Sequence, residues 1–163
     1  MPSGPIAKVA ARLLVPIMFI FGFYVVMHGH LSPGGGFQGG AVIATGVALL
    51  LIAFTTVQAE GFLPSLKNIK LFESAGLILF ICTALAGIVL ASGFLVNWLN
   101  GAGGLFGNAV AYGITPGDLW TGGVIPILNF AIGIEVFGAM SVVMLYMFKG
   151  LREKKDDEEG EAK

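Results

Sequence analysis

Few residues in this sequence have side chains suited to chemistry, and the most unusual of them is Glu135. It stands in the apolar run VIPILNFAIGIEVFGAMSVVMLYMF, residues 124–148. A carboxylate at the centre of such a run costs on the order of a few kcal/mol to place there, so something must compensate for it. Two compensations are open. The group is protonated or paired across a helix contact as a structural link, or it lines a hydrated path and exchanges a proton or accompanies sodium. His28 and His30 are the only histidines and lie two apart in MHGHLSPGGGFQGGAV, residues 27–42. Imidazoles titrate near neutral pH and bind metals, but two ligands fall short of a metal site. They read either as interfacial side chains hydrogen-bonded to loop carbonyls or as the mouth of an ion path. The ion-path candidates are therefore Glu135, His28 and His30, with no catalytic, cofactor-binding or metal-ligating set expected.

The other polar groups carry less. Glu73 is expected in the first turn of a helix that begins near Leu71, where water and the positive helix end accommodate a carboxylate. Asp118 serves the Pro116–Gly117 turn. Cys82 is the single cysteine, which excludes an internal disulfide and a multi-cysteine metal or iron–sulfur site; packing is its expected role. Gly34, Gly36 and Gly39 match GxGxxG, but a dinucleotide site needs a strand before that pattern and a βαβ unit around it. A phosphate loop fails as well, because no Lys followed by Ser or Thr closes the segment. Pro33 fixes one backbone angle while Gly34, Gly35 and Gly36 admit positive φ, so the segment predicts a tight reversal, with Gly39 and Gly40 opening the next helix.

Composition decides what must hold these residues. The chain is 56% hydrophobic and 12% charged, with a mean hydropathy of +0.87, more apolar surface than a water-soluble core of this size can hide. Windows of about 20 residues, the length that crosses roughly 30 Å of hydrocarbon, give four candidates. They are 9–27, 37–57, 71–95 and 124–148. The predicted fold is all-α: one integral membrane bundle over residues 1–148, followed by a charged, disordered tail over 149–163. A cleavable signal peptide is the rival reading of the first span. That stretch is too long and bulky and no small-residue cleavage site follows, so a retained helix is expected.

All nine Lys and Arg residues fall in three segments: Lys8 and Arg12, Lys67 and Lys70, and Lys149, Arg152, Lys154, Lys155 and Lys163. Four crossings put these segments on one face, which the positive-inside rule assigns to the cytoplasm together with both chain ends. Arg12 lies close enough to the end of its span to snorkel into the headgroups. The loop from Asn97 to Gly123 contains one charge, Asp118, among glycines and Leu105, Phe106, Tyr112 and Ile114. So apolar a loop is expected to fold onto the membrane surface or lie under another subunit. Small residues at Gly40 and Ala44, Gly87 and Ala91, and Ala131 and Gly138 permit close helix approach.

The stretch GHLSPGGGFQGG, with Gly29, Pro33, Gly34, Gly35, Gly36, Gly39 and Gly40, resembles the signature of the B-type subunit of multisubunit Mrp sodium/proton antiporters. The same subunit type occurs in the antiporter-like module of membrane-bound hydrogenases and related respiratory complexes. The resemblance covers residues 16–148 and leaves the charged tail outside it. It implies an accessory, non-catalytic membrane subunit without a cofactor. Its partners would be antiporter subunits, in some complexes with hydrogenase or other redox subunits, and sodium and protons the transported ions. The setting would be a prokaryotic cell membrane. In that family the principal proton-pumping elements lie in larger subunits, so this chain alone is not expected to transport. The competing function classes are a self-sufficient channel or transporter acting as a homo-oligomer, and a membrane enzyme. The first wants repeats or several intramembrane charges, the second a nucleophile with its base or a metal cluster.

Overall fold

The computed structural model describes residues 4–54, 65–102, 104, 106–108 and 119–161, with side chains described as far as Leu151. Among the described residues four helices carry the chain: α1 (Pro5–Met27), α2 (Gly36–Ala53), α3 (Leu66–Ala91) and α4 (Ile125–Glu161). Each is long and apolar enough to cross a membrane, α4 through its Ile125–Leu151 part. The four predicted spans are thus present, and the protein is a multi-pass membrane protein.

The helix ends follow local chemistry more than hydropathy. Pro5 opens α1, where its missing N–H costs nothing. Ser65 caps α3 by accepting the Asn68 N–H at 3.4 Å. That cap starts α3 five residues before the predicted Leu71, because the segment Leu66 to Lys70, too polar to count as a span, still favours helix through its leucine and two lysines. At the far end Ser92 takes the left-handed conformation (φ 57°), and the Gly93 N–H reaches back to the Gly87 carbonyl at 3.2 Å. Helix α2 stops at Ala53, short of residue 57. Helix α4 runs on to Glu161, past the predicted end at Phe148, through a stretch of Lys, Arg and Glu with high helix propensity.

The helices stand in the spatial order α1, α2, α4, α3. Helix α2 packs broadly against both α1 and α4, α3 packs on α4, and α1 meets α4 only slightly. Helix α2 is accordingly the most enclosed, with 56% of its span buried against 22% for each of the others. In lipid no hydrophobic force draws helices together, so close contact relies on small residues, and Gly36, Gly39, Gly40, Ala44 and Gly46 are all buried along α2. Large apolar side chains such as Ile17, Leu77, Ile78 and Val89 point outward from the bundle. Cys82 also lies on the exposed surface of α3, so it does not pack inside this chain as expected.

The alternating helix directions give the bundle two chemically distinct ends. At one, the Arg12 guanidinium stacks over the Phe54 ring at 5.6 Å. Nearby Lys70 donates to the Tyr146 hydroxyl at 2.7 Å, and its ammonium lies 5.0 Å from the ring centroid. At the other end lie His28, His30, Asn97 and Thr121. The Lys70 contact is exposed, so Lys70→Met is expected to cost no more than about 1 kcal/mol. Thermal unfolding of the detergent-solubilised protein would check this, and a larger loss would mean that the contact is screened from solvent by a partner.

Candidate functional site

Helices α3 and α4 cross through two matching segments, Glu73-Ser74-Ala75-Gly76 and Glu135-Val136-Phe137-Gly138. A Cβ on Gly76 would lie 2.6 Å from the Glu135 nitrogen and 2.9 Å from the Glu135 Cβ. Reciprocally, a Cβ on Gly138 would lie 2.7 Å from the Glu73 nitrogen and 2.9 Å from its Cα and Cβ. Each glutamate therefore sits against the glycine of the opposite helix, and the antiparallel crossing closes only because both glycines lack a side chain. The two carboxylate-bearing positions are offset by three residues, about 4.5 Å along the helix axis at 1.5 Å per residue. Both are half-buried.

This places Glu73 differently from the sequence-based expectation. With α3 beginning at Leu66, Glu73 is its eighth residue, about two turns inside the helix and beyond reach of the positive N-terminus. It belongs with Glu135 at the crossing. Further along α4, Ser141 is fully buried, and its Oγ has no hydrogen-bond partner among the described residues. The crossing thus holds two carboxylates and, near them, an unsatisfied hydroxyl, a polar set that can exchange protons or coordinate a small cation only with help from water or another subunit. No group of three or more His, Cys, Asp or Glu that could hold a metal occurs among the described residues.

The histidines stand elsewhere. His28 caps the end of α1, its ring stacked on Tyr24 at 5.1 Å with an interplanar angle of 19°. Its Nδ1 is buried without a hydrogen-bond partner among the described residues, and its carbonyl accepts the Ser32 hydroxyl at 3.1 Å. His30 reaches across to the second loop, where a Cβ on Gly122 would lie 3.2 Å from its Cδ2. The same end holds Asn129, whose side chain borders Gly29 and Gly35. Glu135 follows six residues later, about 9 Å along α4. The structure therefore brings the two histidines to one end of the bundle and sets Glu135 apart from them, with Glu73.

The glycines of the first loop act by closeness more than by backbone freedom. Among the described residues the glycines at positive φ are Gly101, Gly122 and Gly123, whereas Gly35 is extended at φ −154°. The expectation that Gly34, Gly35 and Gly36 supply positive φ is thus not met. A Cβ on Gly36 would collide with the Asn129 carbonyl oxygen and come 2.9 Å from the Gly133 nitrogen. One on Gly40 would meet the Gly133 carbonyl at 2.6 Å, and one on Gly39 the Gly22 carbonyl at 2.6 Å. The motif joins α2 to α1 on one side and to α4 on the other. Ala131 and Gly138 face α3 as a close-contact pair, while Gly87 packs on the Gly93 carbonyl within its own terminal turn.

Asn97 is the residue that sequence reasoning passed over. Its Nδ2 donates to the Gly122 carbonyl at 3.0 Å, and its Oδ1 accepts the Val124 N–H at 2.9 Å. It thereby ties the loop after α3 to the start of α4. Around it Trp98 donates to the Thr83 carbonyl at 3.3 Å, and Phe106 stacks on Trp120 at 5.5 Å. Leu105, Tyr112, Ile114, Pro116, Gly117 and Asp118 lie outside the described residues. Asn97→Ala removes both bonds and leaves two backbone groups to find water, at a cost of about 1–3 kcal/mol. The solubilised protein is expected to melt several degrees lower, and an unchanged transition would show that water replaces the amide.

Residues 6–154, which span the membrane-crossing part of all four helices, match the family described as a domain related to the MnhB subunit of Na+/H+ antiporter. An uncharacterized protein of Methanocaldococcus jannaschii is 33% identical over 84% of this chain and 49% of its own length. The B-type subunit of the Na+/H+ antiporter of Bacillus subtilis is 34% identical over 56% of this chain and 63% of its own. Among solved structures, a chain of the membrane-bound sulfane sulfur reductase, an archaeal respiratory membrane complex, superposes with a TM-score of 0.71 at 32% identity. That match covers 91% of this chain and 59% of the other. The chain thus spans about half to three fifths of the length of these relatives. With four spanning helices and a glycine-packed first loop throughout the matched region, the chain belongs to the family of domains related to the MnhB subunit of Na+/H+ antiporters.

Proposed function

We propose that this protein is an accessory membrane subunit of a multisubunit cation/proton antiporter module. The observation that carries this reading is the family match over residues 6–154, which takes in the whole helical bundle. The chain serves either a stand-alone antiporter or a redox-driven respiratory complex. The Bacillus antiporter protein supports the first host and the archaeal respiratory complex the second. Its partners are the other antiporter subunits, with redox subunits in the second case, and the exchanged ions are sodium and protons. The end of the bundle that gathers Lys8, Arg12, Lys67, Lys70 and Lys149 faces the cytoplasm.

Within the module the chain's own part is structural and local. Its exposed apolar faces on α1 and α3 are covered by lipid and by sister subunits, and the α3–α4 crossing contributes Glu135 and Glu73 to the wall of an ion path. Both side chains are half-buried at this crossing, where water or a sister subunit completes the path. His28 and His30 lie at the outer mouth. The chain performs no catalysis and is not a channel by itself.

The test is sodium-dependent proton movement in everted membrane vesicles from cells that lack the chain. Antiport is expected to disappear and to return when the chain is restored, while proteoliposomes holding the purified chain alone show no sodium flux. Flux through the chain alone would establish instead the self-sufficient homo-oligomeric transporter.

A further inference from the structure

The close contact between α1 and α2 runs through Gly22 and Gly39 in the half of the bundle that carries the histidines. Over their whole length α1 and α4 meet only slightly, and a cleft of about 720 Å³ opens on the basic side. Val15, Phe19 and Ile20 of α1, Val47 and Leu50 of α2, and Phe137 of α4 line it. A volume of this size lies within the roughly 300–1,000 Å³ range of sites that hold small organic molecules. Left empty, it would forfeit dispersion contacts on the cleft-facing sides of the side chains that line it.

Among the described residues one charged group enters this lining, the Arg12 guanidinium, and no acidic side chain does. Arg12 stacks over Phe54, and its planar fork presents five N–H donors. Lys8 stands one turn further out on the same side of α1. The cleft therefore combines an apolar trough with two cations at its outer rim.

Length distinguishes the two kinds of occupant. The trough follows α1 from Ala11 to Ile20, about 14 Å at 1.5 Å per residue, which is close to half of the roughly 30 Å hydrocarbon thickness. A transmembrane helix of another subunit needs a groove that spans the whole thickness, whereas an acyl chain occupies one leaflet.

We propose that the cleft between α1, α2 and α4 is a phospholipid site: one acyl chain of an anionic phospholipid fills it, and Arg12, with Lys8, binds the phosphate. The lipid comes from the leaflet at the basic end of the bundle. Each basic side chain near the headgroup favours a net negative lipid by roughly fivefold. The lipid seals a gap that this chain's own side chains leave open.

A photo-reactive benzophenone side chain placed at Phe19 tests this in the full-length chain within its native complex, with a second site at the exposed Met147 as reference. Irradiation followed by mass spectrometry of the adducts is expected to give phospholipid at Phe19, enriched in anionic headgroups at least roughly fivefold over the surrounding membrane. At Met147 the adducts are expected to mirror the membrane. In the Arg12→Gln background the Phe19 enrichment falls to the membrane value, and Arg12→Lys retains part of it. The composition at Phe19 with Arg12 intact decides the matter even where a variant lowers the yield of complex. A protein adduct at Phe19 overturns the proposal, and so do lipid adducts of bulk composition.

Discussion

Gly36→Val is expected to abolish recovery of the folded protein and of any complex built on it. Any Cβ at this position meets the Asn129 carbonyl and the Gly133 nitrogen, both backbone atoms of α4, so no side-chain rearrangement relieves the clash. The helices must separate, and with them the contact of Gly40 on the Gly133 carbonyl. Even Gly36→Ala is expected to cost about 3 kcal/mol, the upper end of overpacking penalties and more than a hundredfold in the folded ratio. Gly34→Ala, two residues earlier in the same motif, supplies the contrast. Its Cβ would meet only the Val25 Cγ1, at 3.2 Å, a flexible methyl that can give way. Near-normal yield of Gly34→Ala beside loss of Gly36→Ala, read by fluorescence size-exclusion chromatography, would show that the motif works by helix contact. Equal loss in both would restore backbone flexibility as its purpose.

The second large effect is expected at Glu135. Glu135→Gln keeps the shape and hydrogen-bonding capacity of the side chain while removing its charge and its proton. If the carboxylate takes part in ion transfer, sodium-coupled transport falls roughly a hundredfold, the low end of what a positioned proton-transfer group contributes. The amount of assembled complex stays the same. Glu135→Ala would lower both, because it also empties a half-buried position against Gly76. Because Glu73 shares the crossing, the double variant Glu73→Gln/Glu135→Gln should lose less than the product of the two single losses. Comparable loss of complex in Glu135→Gln and Glu135→Ala would assign the residue a structural link alone.

The architecture was largely legible in the sequence, because lipid imposes a length and a composition on anything that crosses it, and four runs satisfied both. What hydropathy could not supply was the register of one helix against another. The predicted start of α3 at Leu71 followed apolar content and missed the Ser65 cap, and that shift alone moved Glu73 from an interface to the α3–α4 crossing. The Glu-x-x-Gly repeat was visible at residues 73–76 and 135–138, yet its meaning depends on an antiparallel contact that no single sequence displays. The glycine motif was recognised while its physical role was misassigned, since freedom of φ and absence of a Cβ are the same residue seen from two sides. Asn97 gave no signal at all: one amide in a long apolar loop acquires its role only once Gly122 and Val124 arrive beside it.

The most direct measurement of the central claim is gentle detergent extraction of the tagged chain from its native membrane, followed by mass spectrometry of the proteins that accompany it. An accessory subunit is expected to bring antiporter subunits in fixed proportion. Redox subunits beside them would place it in a respiratory complex, and their absence in a stand-alone antiporter. A chain that emerges alone, or as a homo-oligomer that conducts ions when reconstituted, would contradict the accessory role.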